Sequence, residues 1–253
     1  MRLAVSSWSL RDHIEREFSI SDFPAYVVDK FGVRAVEICQ VHVYPLDSVR
    51  LDMLAEGLSA SDVRVVNMPV DVGDISQPDS YKRNFDLKII ETWIDAAAYL
   101  KSPAVRVNSG SGDISTAMSS YRELAEYGDA VGVKVLLENH GGLSADLDNI
   151  VALMSGVGPN FATCPDFGNF AEEARYKGLE IMAPRAAIIH AKTYDFDTEG
   201  EFEDFDFARC LKIFQDAGYK GYVSIEFEGD TDQPTGVKNT MELLRRLDPS
   251  IEP

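Results

Sequence analysis

The chain has 253 residues, 45% of them hydrophobic, with 42 acidic against 24 basic side chains and a formal net charge of −18. The length suits one barrel-sized domain over residues 1–253 with a large core. The charge repels phosphate backbones and anionic membranes, and no apolar stretch is long enough to cross a bilayer, so neither nucleic acid nor membrane is an expected partner.

In chain order, short β-branched runs alternate with amphipathic helices, the pattern of a buried parallel sheet. The apolar run from Met1 to Trp8 is too short for a signal peptide, so a cytoplasmic location is the expectation. It contains a first strand, Leu3–Ser6. Ser21 or Asp22 can cap a helix running to about Lys30, with Gly32 as its stop. The second strand is Ala35–Ile38, the third Val63–Asn67. Asp79 to Leu100 forms the longest helical stretch, with Phe85, Ile89, Trp93, Ala96 and Leu100 at helical spacing. The fourth strand is Ala104–Asn108, the fifth Val133–Glu138, the sixth Phe161–Cys164 and the seventh Ala186–His190. Asp195 to Asp206 is an acidic, Phe-containing loop long enough for a lid. Leu211, Phe214 and Ala217 mark one face of the next helix, stopped by Gly218. The eighth strand is Tyr222–Glu226, and a last helix spans roughly Thr235 to Leu247. Eight such units predict an α/β fold, a (β/α)8 TIM barrel. Cys39, Cys164 and Cys210 are few and far apart, which suits reduced, packed thiols.

In a barrel enzyme the site lies at the C-terminal ends of the strands. Strand 5 there ends in Glu138-Asn139-His140, and strand 6 leads into Asp166-Phe167-Gly168-Asn169. Strand 7 ends in His190-Ala191-Lys192 and strand 8 in Glu226-Phe227-Glu228. Each residue alone has an ordinary structural role open to it: a rim Glu, a packed His, a turn Asp. Together they bring three carboxylates and one imidazole to a single rim. Carboxylates at close range repel, and Lys192 alone cannot balance them. A divalent cation can. Oxygen ligands plus one imidazole suit Mn²⁺ first, with Mg²⁺ or Co²⁺ as alternatives.

The stretches Ser6-Ser7-Trp8-Ser9, Leu137-Glu138-Asn139-His140-Gly141-Gly142, Asp166-Phe167-Gly168-Asn169, His190-Ala191-Lys192 and Ser224-Ile225-Glu226-Phe227-Glu228-Gly229 resemble the xylose isomerase-like TIM-barrel superfamily, the sugar phosphate isomerase/epimerase group. The resemblance covers essentially the whole chain. It implies one divalent metal on Glu138, Asp166, His190 and Glu226. It also implies a ketose or keto-sugar substrate, an enediolate, and Glu138 and Glu226 as the catalytic acid/base pair. Homo-oligomers are common in the superfamily. Two departures stand out. The ketose 3-epimerases carry a His where this chain has Asn169, and an Arg after the strand-7 His, where this chain has none until Arg209. Lys192 can take that cationic place.

Further substrate contacts are expected from Trp8, which can stack on a sugar or pack in the core, and from Asn67 and Asn108 at strand ends. Glu37 is either turned into the mouth near His42 or paired with a rim cation. His140, Asn169 and Lys192 complete the set. The Asn108-Ser109-Gly110-Ser111-Gly112 loop could cradle an anion. The acidic charge and the missing Arg favour a neutral sugar over a phosphorylated one. The runner-up is a metal-dependent lyase on the same site, dehydrating a dehydroshikimate- or inosose-like compound or cleaving an oxidised glycoside. An endonuclease IV-like enzyme needs more than the four histidines present and a basic groove. A non-catalytic sugar-binding barrel does not need the four intact ligands.

Overall fold

A computed structural model describes residues 1–253. The strands are β1 (Arg2–Ser6), β2 (Ala35–Glu37), β3 (Arg64–Val70), β4 (Ala104–Val107), β5 (Lys134–Leu137), β6 (Phe161–Thr163), β7 (Ile188–Thr193) and β8 (Tyr222–Phe227). They pair in parallel in the order β6-β5-β4-β3-β2-β1-β8-β7. No ladder joins β6 to β7. That seam closes through isolated bridges, Thr163 with Ala186 and Asp166 with His190, backed by His190 N–H donating to the Pro165 carbonyl at 2.9 Å. The ring of eight is the expected TIM barrel.

Outside it lie α1 (Phe23–Phe31), α2 (Gln40–Val43), α3 (Ser48–Ala60), α4 (Ser80–Tyr99), α5 (Ile114–Val131), α6 (Leu147–Gly156), α7 (Glu172–Met182), α8 (Phe207–Asp216) and α9 (Gln233–Leu247). Asp47, Asp79, Asp113, Asp146, Asp206 and Asp232 each precede a helix and accept a hydrogen bond from its first turn. Part of the net acidity is therefore capping chemistry that also suits the positive helix end. α1 starts after Asp22, but the Asp22 side chain accepts from Ser19 Oγ and makes no cap hydrogen bond to the helix; as expected, α1 stops at Gly32, whose φ of 68° is the left-handed conformation that glycine allows.

Two apolar regions hold the barrel. A shell of 57 buried residues fills the space between strands and helices. A second cluster of eight, Ala4, Ala35, Val66, Ala104, Leu136, Ala162, Cys164 and Ile188, fills the lumen, with Cys164 one step above the others. The two-residue period of a strand explains the division. On β7, Ile189 and Ala191 join the shell while Ile188 faces the lumen, so His190 and Lys192 face it too. On β8, Val223, Ile225 and Phe227 pack outward, leaving Ser224 and Glu226 inward.

Four details differ from the sequence reading. β3 runs through Pro69 to Val70, three residues beyond Asn67, because Met68 to Val70 pair with Val105 to Val107. β7 runs on to Thr193, which carries Lys192 into the lumen side. Phe85 is 62% exposed, since the buried stripe of α4 is Leu87, Ile90, Trp93, Ile94 and Ala97, and Ala217 is an exposed cap residue. The Asp195–Asp206 loop packs Phe196, Phe202 and Phe205 against the core. Glu201 pairs with Arg246 in the last turn of α9 at 2.6 Å, so this loop runs down the outer wall rather than across the mouth as a lid.

Candidate metal centre

Glu138, Asp166, His190 and Glu226 each offer a ligand atom, and these atoms lie within 4.8 Å of one another. All four residues are buried. His190 Nδ1 lies 3.0 Å from Glu138 Oε1, 3.6 Å from Glu226 Oε2 and 3.7 Å from Asp166 Oδ2. The other imidazole nitrogen, Nε2, faces Glu37 Oε2 at 2.9 Å.

The loop after β6 aims Asp166. Asn139 donates to the Asp166 carbonyl at 3.0 Å and accepts from its N–H at 2.8 Å, suturing the end of β5 to this loop. Asp166 Oδ1 accepts from the N–H groups of Gly168 (2.7 Å) and Asn169 (2.8 Å). Oδ2 is buried with no hydrogen-bond partner. A buried carboxylate oxygen without a hydrogen bond is costly, and its neighbours here are other carboxylates, an imidazole at 3.7 Å and the Lys192 ammonium at 3.5 Å. That donor set fits a hard or borderline divalent cation.

Glu138 divides its oxygens. Oε1 faces His190 and lies 3.3 Å from Asn169 Nδ2, while Oε2 meets Arg106 Nε at 2.9 Å and His140 Nδ1 at 3.0 Å. Lys192 Nζ reaches Glu226 (3.1 Å), Glu228 (3.2 Å), Asp166 (3.5 Å) and Asn169 Oδ1 (2.9 Å). Gly168 makes room for this: a Cβ there would sit 2.9 Å from Lys192 Cδ.

The electrostatics follow from these contacts. Burial pushes the Glu138 carboxyl up, but Arg106, His190 and His140 together hold it well below the usual range. Burial also opposes ionisation of Glu226, and Lys192 and His190 outweigh it. Asp166 is pushed up to about 7 by burial, with Glu226 and Glu138 raising it and Lys192 lowering it. Burial disfavours imidazolium at His190, yet Cys164, Glu37, Glu226 and Glu138 around it raise it well above the ordinary value. Six acidic groups, Glu37, Asp71, Glu138, Asp166, Glu226 and Glu228, surround two fixed cations, Arg106 and Lys192. A divalent cation relieves the imbalance.

Lys192 is therefore not the lone cation that the strand ends suggested. Arg106, buried at the centre of β4, is the second, bonded to Asp71 and Asn108. Its signal was a charge inside an apolar strand. Asp71 escaped notice because β3 was read as ending at Asn67, and Asn139, Ser224 and Glu228 stood in the motif stretches without an assigned role.

A pocket of about 300 Å³ opens above the cluster, lined by Trp8, Cys39, Asp71, Arg106, Asn108, His140, Glu226 and Glu228. Trp8 Nε1 donates to Glu228 at 2.8 Å. Asn108 donates to Asp71 at 2.9 Å. His140 is 45% exposed. Asn169 and Lys192 join the cluster's edge. Glu37 and Asn67 do not reach the pocket: both are fully buried and bond each other at 2.8 Å. His42 stands aside, its Nδ1 2.9 Å from Ser7 Oγ and its ring centroid 6.2 Å from that of Trp8. Burial lowers it to about 4. The Gly110 loop braces its neighbours instead of offering open amides. Gly112 N–H donates to Ser76 Oγ at 2.7 Å, and the Gly110 carbonyl accepts from Leu143 N–H at 2.8 Å.

Comparison with known proteins agrees with this architecture. The sequence profile of the xylose isomerase-like TIM barrel matches residues 25–247, and the chain belongs to that family. The C-glycoside deglycosidase alpha subunit of Arthrobacter globiformis is 35% identical over 68 residues, covering 27% of this chain and 19% of that protein. D-psicose 3-epimerase from Clostridium cellulolyticum, solved with D-tagatose, superposes with a TM-score of 0.78 at 14% identity, over 100% of both chains. A probable 3-DHS dehydratase from Bacillus anthracis superposes with a TM-score of 0.76 at 16% identity, over 97% of this chain and 100% of that one. Two further structures of this fold hold zinc and magnesium. No helix is long and apolar enough to cross a membrane.

Proposed function

We propose that the protein is a divalent-metal-dependent isomerase or epimerase of a small, uncharged ketose or keto-sugar. It works through an enediolate, with Glu138 and Glu226 moving the proton. One observation carries this reading: carboxylates from the end of β5, from β8 and from the loop after β6 face the same imidazole nitrogen, and one of their oxygens, Asp166 Oδ2, is buried with no hydrogen bond. A cation held by Glu138, Asp166, His190 and Glu226, manganese by preference and magnesium or cobalt as alternatives, supplies Lewis-acid polarisation of a carbonyl and its neighbouring hydroxyl.

The chain's own residues do the rest. Glu138 and Glu226 stand at the two ends of the β5-to-β8 arc, so they flank a substrate carbon from two sides. One removes the proton α to the carbonyl and the other returns it. Arg106 favours the ionised form of Glu138 and Lys192 that of Glu226, so each is set to take a proton, and the one that returns it must first gain one from solvent or from a substrate hydroxyl. Trp8, Arg106, Asn108 and His140 line the mouth, where they can meet ring and hydroxyl groups. Arg106 is already paired with Asp71 and Glu138, and Lys192 with Asp166, Glu226 and Glu228. Neither is left over for a phosphate or carboxylate, which supports an uncharged substrate.

A lyase is the second reading, favoured by the deglycosidase relative and by the dehydratase that shares the fold. There the enediolate expels a β-leaving group. Incubating the manganese-loaded protein with a ketose panel that includes D-tagatose, in deuterated water, separates the two. Deuterium at the α-carbon of a recovered sugar, with no group lost, is the expected result. Release of water or an aglycone from a keto-glycoside panel selects the lyase. Metal-independent inertness on both panels removes both readings.

A further inference from the structure

We infer that Glu37 is a positioning residue for the metal centre. It fixes the tautomer and ring angle of His190 so that Nδ1 presents its lone pair to the three carboxylates' ion. The inference rests on the metal-centre reading above and goes beyond it, since Glu37 belongs neither to the four ligands nor to the pocket lining.

A neutral imidazole carries one N–H, and which nitrogen holds it depends on the partner of the other. Here the two sides are unequal. Nδ1 faces Glu138, Asp166 and Glu226, the set that offers ligand oxygens. Nε2 faces Glu37, with Oε2 at 2.9 Å and Oε1 at 3.1 Å. Glu37 is itself held: Ser224 Oγ donates to Oε2 at 2.7 Å and Asn67 Nδ2 to Oε1 at 2.8 Å. An irregularity in the β2–β3 ladder sets Asn67 opposite Glu37. A carboxylate with both oxygens engaged and no exposed surface cannot turn to a substrate. It can accept from Nε2–H, which leaves Nδ1 free to ligate. Outer partners of this kind usually contribute 10–100-fold in metal affinity.

The Cys164 thiol also approaches Nε2, with Sγ at 3.2 Å. A thiol is a weak acceptor beside a carboxylate, and burial pushes this one up to about 12, so it stays protonated. Glu37 is the stronger partner, and the contrast supplies a control.

The test is ion affinity rather than turnover. Chelator-stripped full-length protein is titrated with Mn²⁺ and Co²⁺ against a competing dye, for the wild type, Glu37→Gln, Ser224→Ala and Cys164→Ala. Glu37→Gln should weaken both ions about 10–100-fold and shift the visible Co²⁺ band, with the metal-free circular dichroism unchanged. Ser224→Ala should weaken them several-fold, and Cys164→Ala should stay within about twofold. Wild-type affinity in Glu37→Gln overturns the inference, as does an equal loss in Cys164→Ala, which would mean that any repacking around the ring suffices. Should Glu37→Gln fail to fold, unaltered affinity in Ser224→Ala overturns it instead. A wild type that binds neither ion fails differently: it removes the metal centre itself, and with it any role for Glu37.

Discussion

Two layers of the same lumen, one strand step apart, are chemical opposites. The lower layer is Ala4, Ala35, Val66, Ala104, Leu136, Ala162 and Ile188, with the half-buried Tyr222 of β8 packed against it. Two residues further along the same strands stand Ser6, Glu37, Arg106, Glu138, Cys164, His190 and Ser224, every one polar or a thiol, and every one buried. Only β3 breaks the two-residue step, where its irregularity brings Asn67 next to Val66. The lower layer fills the barrel and contributes burial energy. The upper one holds charges whose desolvation opposes folding unless they are paired or bound to an ion. The division teaches that stability and chemistry are assigned to different heights of one barrel, so each can be disturbed without the other.

The largest effect should come from the upper layer and appear in function rather than in stability. Glu138→Gln or Glu226→Gln should lower metal-dependent turnover by at least about 10³-fold, within the range of lost acid/base catalysis, while the thermal midpoint moves little. Steady-state assays beside thermal melts check this. Near-normal turnover in either variant removes that residue from the mechanism. A smaller effect, of opposite kind, belongs to the lower layer. Leu136→Ala should cost about 3 kcal/mol of stability, a drop of roughly 6–12 °C in melting temperature, and leave ion affinity within about twofold. A tenfold loss of affinity would show that the layers are not separable.

The smallest effect lies at the rim and depends on pH. His42 titrates at about 4 in the fold and near 6.5 when unfolded, because burial disfavours its charged form. The unfolded chain therefore binds the proton first as pH falls. The stability His42 carries is complete above about 6.5 and is lost on the way down to about 4, roughly 2 kcal/mol after discounting its partial exposure. His42→Gln should flatten that part of a stability–pH curve measured by urea unfolding. An unchanged slope would mean that His42 does not titrate this way.

Much of this was legible in the sequence, for a physical reason. Strand cores read clearly because Val36, Val105, Leu137 and Ile189 pack into one continuous shell. The acidic and histidine residues after them then fell on strand ends by simple counting. Direction was harder. Glu37 looked like a mouth residue, since a single sequence does not say that its oxygens meet His190, Asn67 and Ser224 from distant strands. Arg106 was visible as a charge amid valines, but its partners Asp71 and Glu138 come from neighbouring strands. Phe85 misled because helical spacing alone does not choose which stripe faces the barrel, and the Phe-rich loop after β7 misled because its aromatics fold onto the outer wall.

The central claim is that Glu138, Asp166, His190 and Glu226 hold one ion. Asp166→Asn tests it most directly, because it removes the charge behind the orphaned Oδ2 while an amide of the same shape can still accept from Gly168 and Asn169. Titrating Mn²⁺ into stripped wild type and variant, both checked for an intact fold, should give one ion per chain in the wild type and binding at least about 100-fold weaker in the variant. Equal affinity in the two, or no saturable binding in the wild type, contradicts the account.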